Sequence, residues 1–277
     1  MKIVWSTNDL DDARGGVCVP TMGALHDGHC ALIRRAREEA DAHADPLPVV
    51  VTIFVNPTQF APGEDFARYP RTFEADCAKA EAGGADVVFA PEVAEVYPDG
   101  LDRPIDPHII IPEVARTPGL EEKSRPQFFP GVCRVVHRLF ALVEPSAAVF
   151  GEKDYQQLLT IRAMVRDMAL PIAIHSEPTA REEDGLALSS RNVYLGPAQR
   201  QRALGLSKAL KAAAKESTVA AAQSAMRSIL LANQIEIDYA VVRDAHTLMP
   251  IKNLTFGSRA LVAGKVGPVR LIDNMTV

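Results

Sequence analysis

Apolar residues come in short bursts through the first two-thirds of the chain. Each burst is followed by a stretch in which they recur every three or four positions. Val17-Cys18-Val19 is the first, then a helical pattern from Ala31 to Ala44, then the β-branched run Val49 to Val55. That is strand, helix, strand. The rhythm continues with a helix from Phe73 to Glu81 closed by Gly83-Gly84, a strand at Val87-Val88-Phe89, and a helix from Val132 to Val143. A strand from Ala147 to Phe150, a helix from Tyr155 to Met168 and a strand at Ile172-Ala173-Ile174 complete the series. Nearly continuous apolar strands joined by crossover helices predict an α/β fold, a Rossmann-like doubly wound parallel sheet covered on both faces, over residues 1–179.

Beyond Thr179 the order changes to two helices, Ala198 to Ala214 and Ala220 to Ala232, followed by strands at Ile235 to Val242, Ala260 to Val266 and Val269 to Ile272. Helices followed by neighbouring strands predict a smaller C-terminal α+β domain over 180–277, read as a lid. The Ala-rich run from Ala209 to Ala232 reads as exposed helix. Ile105 to Pro112, apolar and bounded by proline, fits either an excursion strand or part of an interface.

Composition narrows the function. The 277 residues are 47% hydrophobic and 23% charged, enough for a sizeable core and about two domains. Charged residues interrupt every long apolar stretch, so no run reaches the roughly 18 residues a membrane helix needs. The N-terminal residues lack the apolar region of a secretory signal, and the expected location is the cytoplasm. Cys18, Cys30, Cys77 and Cys133 form no Cys-x-x-Cys pair and read as reduced structural thiols. Net charge is −5, with −10 up to Thr179 and +5 after it. An acidic total argues against general nucleic-acid binding and favours a small-molecule partner.

Four blocks carry candidate chemistry. Directly after the first strand stands Pro20-Thr21-Met22-Gly23-Ala24-Leu25-His26-Asp27-Gly28-His29, leading into a helix. Histidines three apart share a helix face, and a helix start offers N–H groups and partial positive charge suited to phosphate. The plainer alternative makes His26 and His29 polar caps without a ligand. Neither the dinucleotide glycine fingerprint nor a P-loop is present. The second block, Phe54 to Phe60, follows a strand at the end where open α/β sheets place ligands. Its Gln59 can orient a carboxylate and a hydroxyl with one amide, or be an exposed turn residue. In the third, Phe150 to Gln157, Lys153 stands at a helix start against the dipole preference, which phosphate binding would explain, as would a solvated charge run. The fourth, Arg181 to Asn192, ends in Ser189-Ser190-Arg191, hydroxyls and a guanidinium fit to clamp a triphosphate, though such residues are common in loops.

Taken in order, these blocks resemble the pantothenate synthetase (pantoate–β-alanine ligase) family of the nucleotidyltransferase superfamily. The likeness rests on Pro-Thr-Met-Gly-x-Leu-His-x-Gly-His at 20–29, Phe-Val-Asn-Pro-x-Gln-Phe at 54–60 and Tyr-Pro-Arg-Thr at 69–72. It continues through Gly-Glu-Lys-Asp at 151–154, Asp-Gly-Leu-Ala-x-Ser-Ser-Arg-Asn at 184–192 and Arg-Leu-Ile-Asp-Asn at 270–274. It covers almost the whole chain and departs at Gln127 and Phe128, where the family has Gly then His before the Phe. The chain is also shorter than the family ahead of its first strand, and Asp45 to Pro48 stands as an insertion.

The resemblance implies adenylation of pantoate by ATP with release of pyrophosphate, then attack of β-alanine on the pantoyl adenylate to give pantothenate and AMP, with Mg²⁺ accompanying ATP. It assigns ATP to Met22, Gly23, Ala24, Leu25, His26, Asp27, Gly28, His29, Gly151, Glu152, Lys153, Asp154, Ala180, Leu188, Ser189, Ser190 and Arg191. Pantoate falls to Gln59, Gln157 and Arg125, and β-alanine to Gln59. His29 is the implied proton donor and His26 its phosphate-binding companion, with Lys153, Ser189, Ser190 and Arg191 completing the catalytic set. No metal ligand is implied, and the expected assembly is a homodimer without nucleic-acid or membrane partners. Competing functions are a nucleotidyltransferase that stops at nucleotidyl transfer, an ATP-binding sensor that has lost chemistry, and a tRNA-charging enzyme.

Overall fold

The computed structural model describes residues 1–61, 63 and 65–277, with the side chain of Asp65 left aside. The chain divides into two compact units, one of Met1–Glu152 with Gln157–Pro178, the other of Lys153–Gln156 with Thr179–Val277.

In the first unit six strands form a wholly parallel sheet: β1 (Lys2–Val4), β2 (Val17–Thr21), β3 (Val49–Ile53), β4 (Val87–Phe89), β5 (Ala147–Gly151) and β6 (Ala173–Glu177). Their spatial order, β1-β4-β3-β2-β5-β6, runs outward from β2 to one side, then returns to continue from β5 on the other. This is the doubly wound order expected, and the reversal lies between β2 and β5, where such sheets open a crevice at their carboxyl ends. Val17, Val19, Val49, Val51, Val88 and Val149 are buried with Ile33, Ala36 and Ala40 of α1 (Asp27–Asp41) in one core. The other helices are α2 (Phe73–Ala82), the single turns α3 (Val93–Val96) and α4 (Glu121–Ser124), α5 (Phe128–Val143) and α6 (Tyr155–Asp167), whose first two residues belong to the second unit.

Three departures from the sequence expectations have local causes. β1 shows no legible pattern because a three-residue edge strand with only Val4 buried is too short to alternate. Helix α5 begins four residues before the apolar stripe, since Pro130 sits in the first turn, where a missing N–H breaks no intrahelical bond. Ile105 to Pro112 forms neither strand nor helix but an irregular stretch with Ile109 buried.

The second unit packs α7 (Pro197–Ala213) and α8 (Val219–Ala232) on an antiparallel sheet of β7 (Glu236–Arg243), β8 (Arg259–Val266) and β9 (Val269–Thr276), in that order. The Ala-rich run is not exposed helix. Ala209, Ala213 and Ala222 are fully buried among Leu210, Met226 and Leu230, because small side chains let α7 and α8 approach each other and the sheet closely.

Candidate active site

The loop between β2 and α1 is built by its neighbours rather than by its own side chains. Thr21 donates its hydroxyl to the Thr52 carbonyl at 2.7 Å, and that hydroxyl accepts from the Gly23 N–H at 3.2 Å. Gly23 and Ala24 then take left-handed backbone, φ 80° and 50°. A Cβ on Gly23 would stand 3.0 Å from Asp76 Oδ2 and 3.2 Å from Ile53 Cγ2, so glycine is required for both space and conformation. Asp76, on α2 and only 2% exposed, accepts the N–H of Ala24 at 2.9 Å on one oxygen and of Leu25 at 2.7 Å on the other. Thr72 donates its hydroxyl to the same carboxylate, and Lys79 donates to the Leu25 carbonyl.

The turn ends at His26, the N-cap of α1. Its Nδ1 accepts the Gly28 N–H at 3.2 Å, and the Nδ1 of His29 accepts the His26 N–H, also at 3.2 Å. The two imidazoles form a capping box, with ring centroids 4.1 Å apart. Because both Nδ1 atoms accept, each neutral ring carries its proton on Nε2, which makes two N–H donors at the positive end of a fifteen-residue helix. Protonating either ring further would sacrifice a cap bond. Capping and anion binding, alternatives in the sequence, are compatible because they use opposite ring nitrogens.

Gln59 is not an exposed turn residue. It is 7% exposed, its Oε1 accepts from Asn56 Nδ2 at 3.0 Å, and its Nε2 donates to Met22 Sδ at 3.2 Å. The first two sequence blocks therefore touch. Asn56, 1% exposed, is fixed in turn by the Tyr97 hydroxyl donating to its Oδ1 at 2.8 Å and by its own bond to the Gly131 carbonyl at 3.2 Å. Burial pushes the Tyr97 phenol above its usual value, so it stays a donor. Gly131 is sterically obligatory, since a Cβ there would meet Thr58 O at 2.5 Å and Gln59 Cα at 2.7 Å. Arg125, at the end of α4, lies 4.0 Å over the Phe128 ring and donates to the Gln59 carbonyl at 3.4 Å. Gln127 lines a neighbouring cavity of about 320 Å³ with Thr58 and Arg134, and its buried Nε2 has no hydrogen-bond partner. Gln157 sits half-buried in α6 of the same unit.

The unit boundary divides the third block: Gly151 ends β5 with Glu152 after it, whereas Lys153 and Asp154 belong to the second unit, not to the 1–179 domain expected. A Cβ on Gly151 would meet only Leu32, at 3.8 Å, so packing does not demand this glycine. Lys153 is mostly buried, its Nζ 3.7 Å from Asp154 Oδ2. The fourth block is a small hairpin. Arg181 bridges Ala187, the Leu188 N–H donates to the Ala180 carbonyl at 3.0 Å, and Gly185 turns with φ 93°. It delivers Ser189 as the cap of the turn Ser190–Tyr194, with the Arg191 N–H donating to Ser189 Oγ at 3.3 Å.

Sequence reasoning missed Asp76, Asn56 and Tyr97. A signal for Asp76 existed: Phe73, Cys77 and Ala80 mark the inward stripe of α2, and Asp76 lies on it, where a carboxylate must have partners. The thiols are free, and burial pushes Cys18 and Cys133 up to about 12, out of reach of thiolate chemistry. Among the described residues no helix is long and apolar enough to cross a membrane.

Residues 5–276 match the family model described as pantoate-beta-alanine ligase. A pantothenate synthetase of Rhodopseudomonas palustris strain BisA53 is 48% identical, with 94% of this chain and 89% of the relative covered. One from Thermus thermophilus is 48% identical over 94% of this chain and 92% of its own length. A crystal structure of pantothenate synthetase from Thermus thermophilus superposes with a TM-score of 0.90 at 44% identity, covering 100% of this chain and 99% of that one. A Francisella tularensis pantoate-beta-alanine ligase, solved with beta-gamma ATP and beta-alanine, gives 0.78 at 32% identity, covering 100% and 97%.

Proposed function

The chain belongs to the pantoate–β-alanine ligase family, and from that premise we propose that it condenses pantoate with β-alanine at the expense of ATP, through a pantoyl adenylate, releasing pyrophosphate and AMP. The observation that carries this reading is the contact between Met22 and Gln59. It puts the loop of the two imidazoles next to an amide that is oriented and buried. Thioether sulfur is a weak acceptor, so a carboxylate or hydroxyl oxygen displaces it readily from Gln59 Nε2. Asn56 meanwhile holds Oε1 and prevents the amide from turning.

In the first step a pantoate carboxylate oxygen attacks the α-phosphorus of ATP and pyrophosphate leaves. In the second the β-alanine amine attacks the acyl carbon, AMP leaves, and the amine loses a proton. The Nε2–H groups of His26 and His29 donate to phosphoryl oxygens as charge moves onto the leaving group, and His29 is assigned the proton donation. Lys153, Ser189, Ser190 and Arg191 are assigned to the polyphosphate. Gln59, Gln157 and Arg125 are assigned to pantoate, and Gln59 also to β-alanine. Orientation and charge neutralisation suffice, and no covalent enzyme intermediate is invoked.

Among the described residues there is no group of three or more His, Cys, Asp or Glu side chains able to hold a metal ion. Mg²⁺ is proposed to accompany ATP, where it neutralises phosphate charge. A homodimer is proposed on family likeness. The test is direct: the protein incubated with ATP, Mg²⁺, pantoate and β-alanine is expected to form AMP only when both acids are present. AMP formation indifferent to either acid, or none at all, overturns the reading.

A further inference from the structure

The motif Arg270-Leu271-Ile272-Asp273-Asn274 has no role in the chemistry above, yet its last two residues are 3% and 4% exposed and spend their polar atoms on two other motifs. Asp273 receives Arg181 in a two-point ion pair, Nη1 to Oδ2 at 2.7 Å and Nη2 to Oδ1 at 2.8 Å. The same guanidinium donates to the Gly185 carbonyl at 3.1 Å, closing the hairpin on itself. Asn274 turns the other way. Its Nδ2 donates to the backbone carbonyl of Lys153 at 2.8 Å, and its Oδ1 accepts Arg259 Nε at 2.7 Å. Arg259 lies 3.9 Å over the ring of Tyr155, whose hydroxyl donates to the Ala245 carbonyl at 3.0 Å. All these residues belong to the second unit.

We infer that Asp273 and Asn274 are positioning residues: adjacent on one strand, they hold the Lys153 segment and the Arg181–Arg191 hairpin in a fixed register, so that the cations and hydroxyls of both are presented to one polyphosphate without searching for it. What they position rests on the proposed ATP chemistry. The anchoring itself does not. An amide is required at 274 because the site needs a donor and an acceptor at once, and a carboxylate is required at 273 because a planar guanidinium is met at two points. Each anchor fails in its own place. Asn274→Asp keeps shape and the Arg259 bond but sets an oxygen against the Lys153 carbonyl. Asp273→Asn keeps shape and removes the charge that holds Arg181.

Hydrogen exchange of the full chain without substrates reads the anchoring. N274D is expected to speed exchange in 153–156 and D273N in 181–188, with α7 and α8 unchanged. ATP affinity is expected to fall about tenfold or more in each variant while AMP affinity stays within about twofold, since AMP lacks the phosphates being positioned. Uniform loosening of the second unit, or wild-type exchange in both segments, overturns the inference, as does an equal loss of ATP and AMP affinity. R181K, which keeps the charge but not the two-point fit, supplies the reading at 181–188 should D273N fail to fold. Wild-type AMP formation measured alongside separates the cases: its absence removes the proposed function, whereas the exchange pattern still decides the anchors.

Discussion

The loop that follows β2 and the hairpin that begins at Arg181 each lean on one buried aspartate, but the donors differ. Asp76 takes two backbone N–H groups of its loop, at 2.9 and 2.7 Å. Asp273 takes a side chain, the Arg181 guanidinium, at 2.7 and 2.8 Å. In the first arrangement the carboxylate grips the loop by its backbone, and the cap bonds of both imidazoles use Nδ1 and leave Nε2 out of the cap. In the second a cation has been committed to anchoring, and the groups proposed for the polyphosphate, Ser189 to Arg191, lie beyond the anchor in the chain. A loop fixed through its backbone has little freedom to be remodelled by mutation of its own residues. One fixed through an arginine is adjustable, and it depends on charge.

The largest effect follows from removing the backbone-side anchor. Asp76→Asn places an amide N–H against a backbone N–H, leaving a buried donor unsatisfied and weakening two charge-assisted bonds; the expected cost is about 3 kcal/mol. Asp273→Asn leaves a partly exposed guanidinium that keeps the Gly185 and Asn274 carbonyls as partners and is expected to cost less, about 2 kcal/mol. Urea unfolding monitored by circular dichroism compares the two. An Asp273→Asn loss equal to or greater than that of Asp76→Asn breaks the contrast between the regions.

A smaller stability effect sharpens it. If the first loop is shaped by Asp76 and the cap, replacing the His26 ring by another capping side chain must leave the fold alone. His26→Asn retains an N-cap acceptor and is expected to change stability by no more than about 0.5 kcal/mol. AMP formation is expected to fall roughly a hundredfold, because the Nε2–H donor is gone. Parallel measurement of unfolding and of acid-dependent AMP release checks this, and a variant that loses stability and activity together argues that His26 serves chiefly the helix.

These contrasts also show how much was legible beforehand. The parallel sheet was readable because Val49 to Val55 is β-branched almost throughout, and strands buried on both faces leave no other pattern. The same reasoning placed α8 correctly but misjudged its burial, since alanine is equally at home on a helix surface and in a tight helix–helix contact. Gln59 and the two histidines stood out by position, at strand ends and a helix start. Their supports did not. Asn56 and Tyr97 are forty-one residues apart, and Asp76 meets Ala24 across fifty-two, so these bonds exist only once the sheet has assembled. Asp273 and Asn274 were visible as part of a motif, but nothing in a linear string says that one faces Arg181 and the other Lys153.

The smallest expected effect concerns charge in the hairpin. The Leu186 N–H donates to Asp184 at 3.2 Å and, with Arg200 also pairing, holds its carboxyl below the ordinary value of 3.8. A carboxylate whose folded value is depressed adds stability that is complete above its unfolded value and disappears as the pH falls through the folded one. Asp184 is open to solvent, so the contribution is small and screened by salt. Asp184→Asn is therefore expected to lower the melting temperature slightly at about pH 6, and the gap from wild type is expected to close as the pH drops below about 3.8. In the backbone-anchored loop Gly23→Ala, harmful through strain at a positive φ, is expected to show a gap that does not close over this same range. Thermal melts of wild type and both variants at several pH values decide the matter. A pH-independent gap for Asp184→Asn shows that the Asp184 charge does not hold the second hairpin.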